Sequence, residues 1–225
     1  MVVEGGLYHV YNRFARGASV FDEGDESERF LELLRQVRDR DGLTVFAYCL
    51  MSNHYHVALR TGPVPLSRSM GFVQSRFGQG YNQRHRSTGP LWQSRYKAKA
   101  VEDEGYLLQL VAYIHLNPVT AKVVSEPAEY LRSGHRDLLK KTASALVDAE
   151  QTLSLYGETL RSARRAYVRT LQQVDEATWR MRLPGALPWW QPERDRPLAP
   201  PPPAGSAAPA PPVMVTVNGS TRSAR

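Results

Sequence analysis

The 225-residue sequence contains a single cysteine, Cys49, which lies inside an apolar run. One thiol excludes an intramolecular disulfide, and nothing else in the composition indicates an oxidising compartment. Because a free cysteine behaves as a small apolar side chain, we expect Cys49 to pack in the core.

Long apolar runs are also missing. No apolar stretch approaches the 18 residues or so that a membrane-spanning helix needs. The first residues, Met-Val-Val-Glu-Gly-Gly, lack the features of a signal peptide. We therefore expect a cytoplasmic protein without a membrane partner.

Acidic side chains are too few to balance the basic ones. The 29 Lys and Arg residues exceed the 22 Asp and Glu residues, which gives a net charge of +7 and a pI of about 9.7. This balance favours a polyanionic partner, most simply nucleic acid, although a merely basic protein has the same charge. From residue 183 onward the chain holds 11 of its 16 prolines, with Ala, Gly and Ser, and we expect this tail to be disordered. The tail carries only +2, so most of the basic charge belongs to the folded part.

Apolar periodicity divides the remaining chain into strands and helices. It predicts strands at 6–14, 43–50, 54–60 and 91–101, and helices at 26–40, 66–86 and 103–117. Pro118 is expected to end the last of these helices, because the residue before a proline is pushed out of helical geometry. The order β-α-β-β-α-β predicts an α+β fold, the ferredoxin-like split βαβ, in which helices cover one face of an antiparallel sheet. A further short helix is predicted within 129–140, and one or two amphipathic helices with a basic face within 145–175.

Two histidines open the third predicted strand. In a strand, successive side chains point to opposite faces, so His54 and His56 share one face and Tyr55 points away. Two neighbouring imidazoles make half of a metal site. A His-x-His pair by itself is nevertheless a weak indication.

A tyrosine and an amide lie four residues apart on the third predicted helix, at Tyr113 and Asn117, and therefore share a helical face. A tyrosine hydroxyl can attack a phosphodiester, retain the 5′ phosphate covalently and release a 3′ hydroxyl, if its proton is removed or a metal polarises the phosphate. Two imidazoles and an amide oxygen would leave open positions on Mg²⁺ or Mn²⁺ for phosphate oxygens. The residues alone are equally compatible with a core aromatic and a helix-ending asparagine.

Four separated motifs stand out in the chain: Tyr8-His-Val-Tyr-Asn-Arg13, Tyr48-Cys-Leu-Met-Ser-Asn-His-Tyr-His-Val57, Gly89-Pro-Leu-Trp-Gln-Ser-Arg-Tyr-Lys97 and Tyr113-Ile-His-Leu-Asn-Pro-Val119. Together they resemble one family, the single-tyrosine HUH transposases, and in particular the REP-associated tyrosine (insertion-sequence-200-like) transposases. The resemblance covers about residues 5–140. Relatives often carry Trp-Ser-Ser after the tyrosine helix, where this chain has Tyr130-Leu-Arg-Ser-Gly-His135.

The resemblance implies cleavage and rejoining of single-stranded DNA, often at hairpin-bearing ends. It places the nucleophile at Tyr113 and the metal ligands at His54, His56 and Asn117. It implies no nucleotide cofactor, because the phosphotyrosine bond retains the energy for rejoining. We therefore expect a transposase domain (1–140) and a helical extension (141–182) like that of some family members, followed by the proline-rich tail (183–225), which has no counterpart in the family. Candidate DNA contacts are basic side chains that can line a phosphate path and one aromatic that can stack on a base: Arg13, Arg76, Arg95, Lys97, Lys99 and Trp92.

Other functions fit parts of this pattern. A domesticated protein of the same fold would bind hairpin DNA without transposing it. An RNA-binding module shares the β-α-β-β-α-β order, but relies on sheet aromatics rather than on a histidine pair facing a helical tyrosine. A zinc hydrolase would need more histidine, cysteine or carboxylate ligands than the sequence places together. The sequence leaves open whether the active site lies within one chain or is shared between two chains of a homodimer.

Overall fold

The computed structural model describes residues 4–140 and 145–173, so the predicted tail lies outside the described residues. Within these ranges four strands form one antiparallel sheet in the order β2-β3-β1-β4. The strands are β1 (Leu7–Arg13), β2 (Thr44–Met51), β3 (His54–Arg60) and β4 (Lys97–Ala100). The helices are α1 (Glu26–Asp41), α2 (Leu66–Arg84), α3 (Glu104–Thr120), α4 (His135–Leu139), α5 (Ala149–Ser154) and α6 (Leu160–Gln173). This strand order confirms the predicted ferredoxin-like α+β fold.

The sheet register decides which side chains share a face. Tyr11 on β1 lies opposite His56 on β3 and opposite Lys97 on β4. Because directly paired residues of an antiparallel sheet point to the same side, one face collects a defined set of side chains. We call it the histidine face, and it carries His9, Tyr11, Arg13, His54, His56, Lys97 and Lys99.

The opposite face of the sheet packs against α1 and α2. Tyr55, which points away from the two histidines, contacts Phe30 of α1 with ring centroids 4.9 Å apart, and accepts a hydrogen bond from Gln74 of α2. Phe14, Phe21, Phe77 and Trp92 complete this aromatic core. Helix α3 lies on the histidine face, where it packs over β2 and β3, and α6 packs against α3. The tyrosine helix is therefore on the other side of the sheet from the two helices of the split βαβ.

The fourth strand is shorter than the predicted 91–101. Regular pairing with β1 covers only Lys97–Ala100, and Trp92 makes one isolated bridge to Phe14. The side chains of α2 and β1 hold the intervening residues in an irregular path. Gln74 accepts from the Tyr96 backbone N–H (3.2 Å), and Asn12 donates to the Ser94 carbonyl (2.8 Å).

The predicted helix end at Pro118 is wrong. Helix α3 continues to Thr120 with Pro118 inside its last turn. A proline removes one backbone donor, but the turn is still closed by the bond from Ala121 N to Asn117 O (2.9 Å) and from Val123 N to Pro118 O (2.9 Å). Asn117 consequently keeps helical geometry and stays on the same helix face as Tyr113.

The segment 130–135, where relatives often carry Trp-Ser-Ser, covers the outer edge of β2. Arg132 O accepts from Leu50 N (2.9 Å), and Gly134 N donates to Tyr48 O (3.0 Å), so this segment pairs with the edge strand. A side chain at Gly134 would collide with the Val147 side chain and approach the Tyr48 ring to 3.1 Å. The close approach explains why glycine suits this position.

A loop glycine supports the end of α1. A Cβ on Gly62 would meet backbone atoms of Gly42, with its carbonyl carbon at 2.8 Å, whereas a Cβ on Gly71 of α2 meets nothing within 4 Å. We expect Gly62→Ala to lower the free energy of unfolding by about 1–3 kcal/mol, because backbone has to move. Gly71→Ala should raise it by about 0.5–1 kcal/mol, because alanine favours a helix interior. Urea unfolding curves measure both, and equal stability of Gly62→Ala and wild type would contradict the packing.

In the described residues, no helix is both long enough and apolar enough to cross a membrane.

Candidate active site

The two histidines of β3 leave one nitrogen each without a partner. His54 Nδ1 lies 2.6 Å from Asn53 Oδ1, and His56 Nδ1 lies 2.9 Å from His9 Nε2. Both Nε2 atoms are buried and have no hydrogen-bond partner. The carbonyl oxygen of Asn53 can only accept, so His54 carries its proton on Nδ1 and presents a lone pair at Nε2. An uncompensated buried lone pair on each imidazole fits a metal ligand.

Burial keeps these imidazoles uncharged. It lowers the pKa of His54 and of His9 well below the ordinary histidine value, with the neighbouring His56 as a second cause in both cases. Burial also lowers the pKa of His56 to about 3. The neutral imidazole is the form that can bind a metal, so protonation does not stand in the way of that role at neutral pH.

Tyr113 faces this pair from α3. Its ring centroid lies 5.7 Å from that of His56 and 6.2 Å from that of His9, both edge-on, and its side chain is 8% exposed. Asn117 follows one turn later and is buried. Its Nδ2 donates to the Tyr113 carbonyl oxygen (3.3 Å), so the amide oxygen is the atom suited to bind a cation.

The site offers few side chains that could bind a metal. Within residues 4–140 and 145–173, no cluster of three or more histidine, cysteine or acidic side chains could hold a metal. Two imidazoles with one amide oxygen suit Mg²⁺ or Mn²⁺ with open positions, and do not suit a closed zinc site. The zinc hydrolase interpretation therefore finds no support in the described chain.

Basic residues lie on the histidine face of β1 and β4. Arg13 lies opposite His54 in the sheet register, and Lys97 and Lys99 follow on β4. A cavity of about 360 Å³ opens beside Tyr11. It is lined by Tyr11, Asn12, Arg13, Gln93, Ser94 and Lys97. Arg95 is exposed in the segment that leads into β4.

Two predicted DNA contacts lie elsewhere. Arg76 is on α2, across the sheet from the histidines, and lines a groove between α1 and α2. Trp92 stacks on Phe14, with ring centroids 4.5 Å apart, and its Nε1 donates to the Gln74 carbonyl (3.0 Å). These contacts give Trp92 a packing role in the aromatic core, and the structure does not bring either residue to the tyrosine.

The histidines that the sequence leaves unassigned fall into three environments. His9 joins the site through its bond to His56. His115 and His135 both contact the hydroxyl of Tyr167 on α6 through Nδ1, at 2.8 Å and 2.6 Å, which ties the extension to the tyrosine helix. His85 lies away from the site at the end of α2, where it contacts Glu26.

Comparison with known proteins points to one family. The sequence model of the family described as "Transposase IS200 like" matches residues 2–117. A structure of a REP-associated tyrosine transposase bound to a REP hairpin matches 64% of this chain and 87% of its own, with 15% identity and a TM-score of 0.55. Because the two sequences are only 15% identical, this structural match shows a shared fold and nothing more.

Other structural matches are weaker. A putative transposase from Deinococcus radiodurans R1 matches 50% of this chain and 91% of its own, with 21% identity and a TM-score of 0.36. A bacterial tRNA(His) guanylyltransferase-like protein in complex with GTP matches 57% of this chain and 69% of its own, with 14% identity and a TM-score of 0.39. No curated protein matches the chain.

Proposed function

The chain belongs to the IS200-like transposase family, and on this basis we propose that it cleaves and rejoins single-stranded DNA through a bond between Tyr113 and a 5′ phosphate. The observation that carries the proposal is the position of Tyr113 against His56, next to two buried Nε2 atoms without partners. Tyr113 packs against His56, one of the two imidazoles whose Nε2 atoms have no partner, and this is a suitable place for a nucleophile beside a candidate cation site.

The reaction proposed for Tyr113 consists of two transesterifications. The Tyr113 oxygen attacks phosphorus and loses its proton, and the bond between phosphorus and the 3′ oxygen breaks. The 3′ oxygen leaves as a hydroxyl, and the 5′ phosphate stays on Tyr113. A 3′ hydroxyl of another DNA end then attacks the phosphotyrosine, which restores the tyrosine and joins the strands. No nucleotide cofactor is consumed, because the number of phosphoester bonds is unchanged.

His54 Nε2, His56 Nε2 and the Asn117 amide oxygen would hold the ion. With Mg²⁺ or Mn²⁺ bound, these residues would place positive charge next to the scissile phosphate. The protein's own contribution is to fix the donors on rigid elements, since both histidines come from the central strand β3 and Asn117 from the same helix as the nucleophile. Burial of all three side chains keeps water away from them.

The DNA path we propose follows the histidine face towards β4. Arg13, Arg95, Lys97 and Lys99 give a run of positive charge beside the tyrosine, and the cavity next to Tyr11 is large enough for a nucleotide. Arg76 and Trp92 are not part of this path. The ends that the protein acts on are proposed to bear hairpins, because the structural neighbour with the same fold is bound to one.

Removing one phosphate contact should weaken binding of any single strand. We expect Lys97→Ala to lower affinity by a similar factor for unrelated sequences, and to reduce the slope of log K against log salt by about 0.7. Fluorescence anisotropy in chelator, over a salt series, measures both quantities. Arg29→Ala is the matched control, because Arg29 is an exposed arginine on α1, across the sheet. Equal losses in the two variants would contradict the proposed path.

Covalent trapping tests the function directly. Purified protein is mixed with labelled single strands from its own genomic flanks, with Mg²⁺, with Mn²⁺ or with chelator, and resolved under denaturing conditions. The proposal predicts a denaturant-resistant adduct that needs the metal, and a free 3′ hydroxyl on the released fragment. Tight hairpin binding with no adduct on any flank would instead indicate a DNA-binding protein that has lost transposition.

A further inference from the structure

We propose that His9 is a positioning residue of the metal site, which holds His56 in the tautomer that can bind the ion. This inference rests on the proposed function. His9 comes from β1, its Nε2 lies 2.9 Å from His56 Nδ1, and both side chains are buried. Each ring nitrogen in this hydrogen bond can either donate or accept, so the direction of the bond decides where the His56 proton resides.

Only one direction of this hydrogen bond gives a satisfied site. If His9 Nε2 donated, His56 would carry its proton on Nε2, where the structure offers no acceptor. A buried N–H without a partner is destabilising, and a protonated Nε2 cannot bind a metal. If His56 Nδ1 donates to His9 Nε2, no N–H of His56 is left buried without an acceptor, and the Nε2 lone pair of His56 is available to a cation. This second direction matches the arrangement at His54.

The sheet holds His9 where it can make this contact. The residue directly opposite His9 on β3 is Ala58, whose small side chain leaves room for the ring to reach diagonally to His56. The rings of Tyr11 and Tyr113 enclose His9, with centroids 5.0 Å and 6.2 Å away. His9 is 2% exposed, so solvent does not replace it as the acceptor.

Asn53 performs the same task for His54. The two metal-facing histidines therefore each have one acceptor behind Nδ1, an amide oxygen for His54 and an imidazole nitrogen for His56. Such acceptors orient ligand rings in metal sites, and their loss typically lowers metal affinity by about 10–100-fold. The pairing assigns His9 a function that its place in β1 alone does not indicate.

Two measurements test this inference. Long-range ¹H–¹⁵N spectra of histidine-labelled wild type, without metal, report which nitrogen of His56 is protonated, with His56→Gln as the assignment reference. Calorimetry then measures Mn²⁺ affinity in wild type, His9→Leu and His9→Gln. We expect a proton on His56 Nδ1, a loss of about 10–100-fold in Mn²⁺ affinity for His9→Leu, and substantial recovery in His9→Gln, whose amide oxygen can accept. His85→Leu is the control and should bind as wild type does.

The outcomes separate the two proposals. A wild-type protein that binds no Mn²⁺ would overturn the metal site itself, and the inference with it. A wild type that binds Mn²⁺ with the His56 proton on Nε2, or a His9→Leu variant that binds equally tightly, would overturn only the role of His9. If His9→Leu fails to fold, the tautomer in wild type and the affinity of His9→Gln still decide the question.

Discussion

Replacing Tyr113 with phenylalanine is expected to abolish the covalent protein–DNA adduct and lower strand cleavage by roughly 10⁴-fold or more, the scale seen when a covalent nucleophile is removed. The substitution deletes only the hydroxyl, so the ring keeps its edge-on contacts with His9 and His56. Fold, Mn²⁺ affinity and single-strand affinity should therefore stay close to those of wild type. The measurement is the denaturing gel described above, run with both proteins at equal concentration.

Tyr11 provides a sharp control for this experiment. Its ring centroid lies 6.1 Å from that of His56, almost as near as that of Tyr113, and it is equally buried. Tyr11→Phe should still form the adduct, because Tyr11 comes from β1 and shares no helix face with Asn117. An adduct that survives Tyr113→Phe and disappears in Tyr11→Phe would show that the wrong tyrosine has been named.

The sheet and the histidine pair could be predicted from local patterns. Alternation places His54 and His56 on one face whatever the rest of the chain does, and four-residue spacing places Tyr113 and Asn117 together on α3. The strand order follows from the sequence of elements, and the structure confirms it. These features depend on the periodicity of single elements, which is why sequence alone contains them.

The errors arise where non-local contacts override a local rule. Pro118 is a valid helix-stop signal, but buried packing and the last backbone hydrogen bonds extend α3 three residues beyond the predicted end at residue 117. The apolar and basic alternation of 91–101 predicts a full strand, yet Asn12 and Gln74 hold its first half in an irregular path. The contact of His9 with the site could not be predicted from the sequence either, because its hydrogen bond to His56 depends on the non-local β1–β3 register.

The position of α3 also bears on the RNA-binding alternative. Modules of that kind stack bases on an open sheet face. Here α3 packs over β2 and β3 on the histidine face, while α1 and α2 cover the other side. The central part of the sheet is therefore not available as a stacking surface on either side, and the accessible region is the edge near β4. This geometry favours a single DNA strand that passes along the β4 edge of the sheet and presents one phosphate to Tyr113.

Replacing either β3 histidine is expected to remove metal binding. His54→Ala and His56→Ala should each lower Mn²⁺ affinity by more than the roughly 10–100-fold that loss of an orienting partner costs, because a ligand itself is deleted. The adduct should fall to the level seen in chelator. Calorimetry and the gel assay measure the two effects on the same protein samples, and circular dichroism verifies the fold.

The Tyr113→Phe variant separates loss of the metal from loss of the nucleophile. If the metal and the nucleophile are separate parts of one site, the histidine variants lose both Mn²⁺ and adduct, whereas Tyr113→Phe loses the adduct alone. His85→Ala, which changes a histidine that contacts Glu26 away from the site, should lose neither. Adduct formation that is unaffected by chelator and by both β3 variants would mean that Tyr113 reacts without a cation, and the buried Nε2 lone pairs would then need another explanation.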